Sequence, residues 1–153
     1  MPSRSPDRFH SFSSLVLTVS ESSLEGVRTD HAFELRAQGT GAEVWRTSVL
    51  YAGGDSCASD PRFVGTLTSR QVIELLEEIE RSGVYEALPT VGLVAGSIDE
   101  MTVPLVSMRL VSARRERQVL DRVPSDRAVA LDISTAVRRR VDLAMERALA
   151  SAG

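Results

Sequence analysis

A chain of 153 residues, 42% hydrophobic and 25% charged, has the composition of a globular protein and enough length for one core without disulfides or metals. It contains no apolar run near the ~20 residues that cross a bilayer and no apolar h-region with a cleavage site, so neither a membrane span nor a secretory signal is read. A net charge of −3 and a pI near 5.4 argue against a general nucleic-acid binder.

Residues 1–12 are polar, carry Pro2 and Pro6, and read as a flexible leader before a single α+β domain over 13–150. "SLVLTVS" (14–20) has strand content. "HAFELRA" (31–37) sets Phe33 and Leu35 against Ala32 and Glu34, the period of a half-buried strand. "QGTGA" then predicts a hairpin with a loop of three to five residues, and "EVWRTSVLY" (43–51) returns. On that strand Trp45, Thr47, Val49 and Tyr51 form the more apolar face and are expected to point to the core. These three strands suggest an antiparallel meander.

"AGGDSCASDPRFVG" (52–65) reads as the longest irregular stretch, a loop of the kind that is often functional or mobile. A helix follows. Thr68 and Gln71 have capping-box spacing, and Leu67 and Val72 have staple spacing. Val72, Leu75, Leu76 and Ile79 form an apolar stripe, while Glu74, Glu77, Glu78 and Arg81 are expected in water. Gly83 stands where a left-handed C-cap is needed, and Pro89 prevents the helix resuming. "TVPLVSMRLVSARRERQVLDRV" (102–123) predicts a second hairpin with Val106, Met108 and Leu110 on one face and its turn at 112–115. The last helix is secure from Ile133 to Leu149, with a stripe of Ile133, Val137, Val141, Ala144 and Ala148. "PSDRA" offers an earlier start near Asp126. The predicted order is β-β-β-α-β-β-α: an antiparallel sheet of four to five strands with two helices packed on it.

Cys57 is the single cysteine, which excludes an intrachain disulfide and suits a reducing cytoplasm. A catalytic thiol needs a base, and His10 and His31 are the two histidines, yet "GGDSCASD" has no protease-type signature. A lone loop thiol is the favoured reading. "GDSCA" around Ser56 also lacks the glycines of a nucleophile elbow. Asp55, Asp60, Asp99 and Glu100 do not follow the spacing of a calcium loop, so they read as solvated carboxylates. "GLVAGS" (92–97) lacks the Lys of a phosphate loop. No cofactor is implied.

All eighteen basic residues are Arg, and Lys and Asn are both absent, which points to a GC-rich bacterial genome rather than to selection for phosphate recognition. "RRER" (Arg114, Arg115, Arg117) lies in a predicted hairpin turn. "RRR" (138–140) lies on a helix where Asp142 and Glu146 can pair with it at i,i+4. Without interleaved aromatics, neither cluster makes a strong nucleic-acid site. Val103, Leu105 and Val111, on the poorer strand faces, hint that a sheet face or edge serves a partner.

The capped helix "LTSRQVIELLEEIERSGVYEALP", the strand pair "VPLVSMRLVSARRERQVLDRV" and the C-terminal helix together resemble emfourin-like small bacterial proteins, inhibitors of thermolysin-like metalloproteases, over residues 67–150. The resemblance implies a sheet-and-helix α+β fold and, less directly, an inhibitory role. It carries over no inhibitory residue. The sequence therefore leads to a non-enzymatic interaction protein (inhibitor, adaptor or subunit of an assembly) with another protein as partner and homo-oligomerisation left open. Candidate partner-binding residues are Asp55, Cys57, Asp60 and Arg62 in the 52–65 stretch, with Arg114, Arg115 and Arg117. The competing classes are an enzyme using Cys57 and a nucleic-acid module using the Arg clusters.

Overall fold

The computed structural model describes residues 9, 11–22, 26–86, 106–113, 118–124 and 126–152. Within them the chain is α+β, as the hydrophobic periods predict. Seven strands form one antiparallel sheet: β1 (Phe12–Ser22), β2 (Arg28–Gln38), β3 (Gly41–Ala52), β4 (Asp55–Ala58), β5 (Arg62–Leu67), β6 (Val106–Ser112) and β7 (Val119–Arg122). The helices are α1 (Ser69–Arg81) and α2 (Arg127–Ala152). The sheet runs β4-β3-β2-β1-β6-β7, and β5 shares the outer edge of β3 with β4.

The two strands beyond the expected count come from the 52–65 stretch. Ala52 pairs with Asp55 across Gly53 and Gly54, whose φ of 57° and 88° are the two positive values that a type I′ hairpin requires. The chain then returns along β3 as β5, with Trp45 opposite Phe63. Ser59 N–H donates to the Ser48 carbonyl at 2.8 Å, and Ser48 N–H donates to Ser59 Oγ at 2.9 Å, so pairing persists between the two short strands. The β2–β3 connection is also tighter than expected. Gln38 pairs with Gly41, leaving the two-residue turn Gly39-Thr40, with Gly39 at φ 60°.

One ladder row explains the core. Leu15 faces Leu35 and Leu110, Leu35 faces Val44, and Leu110 faces Leu120. All five are buried and share a cluster with Val72, Leu75, Leu76 and Ile79 of α1 and with Ile133, Val137, Val141 and Ala144 of α2. Each such side chain contributes roughly 1.5–3 kcal/mol on burial. Both helices thus lie on the Leu15 face. Ala148 closes the predicted α2 stripe half-buried.

This register reverses the expected orientation of β3. Ala42 and Val44 are the buried pair, at 1% and 0% exposure, and Trp45 lies on the other face. Alternation showed two faces on β3, but its partner strand chose between them. Trp45 is not left bare there: the Arg36 guanidinium stacks 4.6 Å from its ring centre, and Phe63 meets it edge-on at 5.5 Å.

Helix α1 begins as its sequence demands. Thr68 Oγ1 accepts from Gln71 N–H at 3.2 Å, and Gln71 Oε1 accepts from Thr68 N–H at 2.9 Å. Gly83 follows the helix at φ 86°, and Val84 and Tyr85 behind it are buried. Helix α2 takes the earlier of its two starts, with Asp126 Oδ1 accepting from Ala128 N–H at 2.8 Å. Phe9, within the segment read as a leader, is buried, and its ring stacks on Tyr85 at 6.4 Å. Phe12 is buried in β1.

Candidate functional site

Helix α2 crosses β5 where Gly65 faces Ala144. A Cβ at Gly65 would overlap the Ala144 carbonyl oxygen, so the absence of a side chain sets how closely helix and sheet approach. Past this crossing the last turns of α2 overhang β3 and β5, and a cleft of about 610 Å³ opens between them. Arg46, Ser48, Ser59, Asp60 and Arg62 supply its polar lining. Phe63, Val64, Met145, Ala148 and Leu149 supply the apolar one. Met145 and Leu149 are 41% and 74% exposed, while Phe63, at the rim, turns its ring edge-on to Trp45. Large apolar side chains gathered at that exposure on one cleft are the composition of a recognition surface.

A smaller cleft of about 240 Å³ shares Arg46 and Met145 with the first and is lined also by Glu21, His31, Arg138 and Asp142. Here His31 Nε2 lies 3.4 Å from Glu21 Oε2, and its Nδ1 lies 3.2 Å from Ser48 Oγ. Carboxylate, imidazole and hydroxyl in series have the outline of a nucleophile relay. Arg46 denies them that chemistry, because its Nη2 sits 3.3 Å from the same Nδ1. A guanidinium has no acceptor lone pair and must donate, so it competes with Ser48 for the Nδ1 lone pair that a general base would use. The Arg46 guanidinium also lies 5.9 Å from the Phe33 ring centre. The cluster therefore positions Arg46 between the two clefts.

The residues singled out from the sequence fall unevenly around this site. Asp60 and Arg62 line the large cleft. Asp55 and Cys57 are exposed on β4, paired to Ala52 and Leu50. His31 bonds to Ser48 and Arg46 rather than to the Cys57 thiol. Arg114, Arg115 and Arg117, with His10, Asp99, Glu100, residues 92–97, Val103 and Leu105, lie outside the described residues. Val111 is half-buried on the sheet face opposite the helices. On that face Glu34 bonds the Arg36 guanidinium and raises its pKa further, so the charge over Trp45 is permanent.

The "RRR" run is divided by the fold. Arg140 is 5% exposed, with Nη2 at 3.0 Å from Glu78 Oε1 and 3.6 Å from Glu74 Oε2. Arg139 lies 3.7 Å from Glu78 and Arg138 lies 3.9 Å from Glu21. Their partners are on α1 and β1 rather than the expected Asp142 and Glu146, and Glu74 and Glu78 are half-buried at a helix interface rather than fully in water. Of the three, only Arg140 is absorbed into the fold; Arg138 and Arg139 keep side-chain exposures of 53% and 60%.

Sequence reasoning missed Arg46, Met145 and Leu149. Arg46 stands on the β3 face opposite the Trp45 set expected to point to the core, and the last turn of α2 carries no motif. The large exposure of Leu149 on an otherwise well-packed helix is a signal that only a structure supplies.

Among the described residues no helix is long and apolar enough to cross a membrane, and no three His, Cys, Asp or Glu side chains gather as metal ligands. Fold and cleft together define an α+β protein with one helix-covered sheet face and a mixed apolar and basic groove. Searches against family models, curated proteins and solved structures return no match.

Proposed function

We propose that the protein is a non-enzymatic interaction protein of a GC-rich bacterium, acting on another protein through the cleft between the end of α2 and strands β3 and β5. The single observation that carries this reading is the exposure of Met145 and Leu149 together along that cleft, beside the exposed Arg62. An apolar centre bordered by arginine is what protein interfaces select. The occupied Nδ1 of His31 weighs against an enzyme, and the burial of Arg140 against Glu78 weighs against a nucleic-acid module built on that cluster. A single cysteine fits action in the cytoplasm.

The test is capture of partners from extract of the native host, with wild type beside Leu149→Asp and Met145→Asp. A stoichiometric partner retained by wild type and lost on both variants supports the reading; no specific partner for wild type ends it. Inhibition of a thermolysin-like metalloprotease, the role that the emfourin-like resemblance implies, is one form of this function. It predicts that purified wild-type protein slows such a protease and that Leu149→Asp does not.

A further inference from the structure

We infer that two copies of this chain pair through α2, antiparallel, about a twofold axis at the level of Arg140; the inference goes beyond the partner reading above and does not depend on it. Leu131, Thr135, Arg138, Asp142, Met145 and Leu149 are all exposed. Their spacings are 4, 3, 4, 3 and 4 residues, the repeat of a helix that packs along another helix. At about 3.6 residues per turn the six fall within roughly 80° of the helix circumference, over a length of roughly 27 Å. Arg140, on the opposite side of α2, is buried against α1, so the stripe points away from the core. The large apolar side chains that α2 leaves exposed are Leu131, Met145 and Leu149, at 44%, 41% and 74%. All three stand on the stripe.

What identifies the occupant is that the stripe is its own complement. Its spacings read the same in both directions, and its positions lie in pairs at equal distances from residue 140. Turned end for end about that point, a second α2 sets Leu131 against Leu149, Thr135 against Met145 and Arg138 against Asp142. A twofold axis makes each of these contacts twice, so apolar layers close both ends and two ion pairs lie at the middle. Parallel pairing would instead put arginine on arginine and carboxylate on carboxylate, a repulsive arrangement. Both charges are available for the exchange. Arg138 keeps 53% side-chain exposure and reaches Glu21 only at 3.9 Å, and Asp142 has no ion-pair partner among the described residues. Because Met145 and Leu149 also wall the large cleft, pairing and partner binding draw on the same helix face.

A charged pair at the centre of such a seam fixes orientation more than it adds affinity. A strip of roughly 27 Å by 10 Å also falls short of the roughly 800 Å² per partner of a standard interface, so the dimer is weak, with a dissociation constant of roughly tens of micromolar. Sedimentation velocity of the purified whole chain, from about 5 to about 500 μM, brackets that value. Wild type is expected to move from monomer toward dimer over the range. Arg138→Asp and Asp142→Arg each set like charges across both central pairs and should weaken association by about tenfold or more. An equimolar mixture of the two variants restores both pairs and should recover the dimer, as should both substitutions in one chain. Leu131→Asp, which lines neither cleft, should also weaken it. Ile73→Asp on α1, 54% exposed, should not. All these positions are exposed, so the fold should survive the changes, which circular dichroism checks.

A wild type that stays monomeric to the top of the range overturns the inference. So does a dimer insensitive to both charge variants. A dimer lost on them but recovered neither by the mixture nor by the double variant overturns it too, because Arg138 and Asp142 then do not face each other. No host protein enters these measurements, so any of these results leaves the partner reading to its own capture experiment. Failed capture beside a dimer that the mixture rescues removes the partner reading and leaves the pairing of α2.

Discussion

Arg140, midway along α2, is 5% exposed and held by Glu78 and Glu74 of the neighbouring helix. Less than three turns further on, the same helix reaches Met145 and Leu149, which overhang Arg46 and Arg62 and leave a cleft open. Both regions combine α2 with arginine, and they differ in what faces it. Where α1 supplies carboxylates, the guanidinium is consumed by the fold. Where β3 and β5 face the helix past its crossing at Gly65, the arginines are left over. The lesson is that an arginine cluster in a sequence has no function until the partners of each guanidinium are known.

The contrast depends on the close approach at Gly65, and Gly65→Ala should break it most severely. The new Cβ would meet backbone rather than a yielding side chain, so helix or sheet must shift. The expected loss is about 3 kcal/mol, the upper end of the overpacking range, read as a lower midpoint in urea denaturation. Next in size is Arg140→Ala, which leaves Glu78 and Glu74 unpaired at the helix interface. Removing one partner of a fully buried pair costs about 3–5 kcal/mol. Here the Glu74 and Glu78 side chains keep 45% and 23% exposure, so about 2 kcal/mol is expected. Arg140→Met should lose less because it keeps the stem that packs between the helices. Thermal melts of the pair would show whether charge or packing dominates, and equal losses would assign the effect to the lost charge.

Thr68→Ala removes the side-chain half of the α1 capping box and should cost about 1 kcal/mol, without effect on the cleft. The smallest stability effect is expected from Leu149→Asp, within about 0.5 kcal/mol for so exposed a position, although it should abolish partner capture. A large stability loss there would mean that Leu149 is core and that the cleft is misread. Ser48→Ala sharpens the comparison from the chemical side. If His31 and Glu21 only position Arg46, any trace hydrolysis of p-nitrophenyl acetate should be identical in wild type and variant. A Ser48-dependent rate would restore the relay that Arg46 is argued to block.

Much of the fold is legible in the residues because it is decided locally. The Thr68–Gln71 capping box, the stripe of Val72, Leu75, Leu76 and Ile79, the stop at Gly83, and the inward Phe33–Leu35 and Val106–Met108–Leu110 sets all appear where their spacing put them. What failed did so for one reason: the deciding partner was remote. Gly53-Gly54 is a turn signal, but only an available β3 edge makes strands of the residues beside it. Arg62 and Asp60, singled out from the sequence, line the cleft, yet the helix residues that complete it are more than eighty positions away.

By itself, then, the sequence determined the α+β class, the capped helix, the paired strands and the residues able to enter a core, since periodicity and capping act over a few residues and need no distant partner. The tertiary structure alone decided which face of β3 is buried, because Leu35 and Leu15 select Val44 over Trp45 through register. It also decided which arginines are spent and which remain, because an ion pair such as Arg140–Glu78 joins residues far apart in the chain. The cleft belongs to that second set: it exists because a glycine lets α2 descend onto β5 and the helix then runs past the core that holds it.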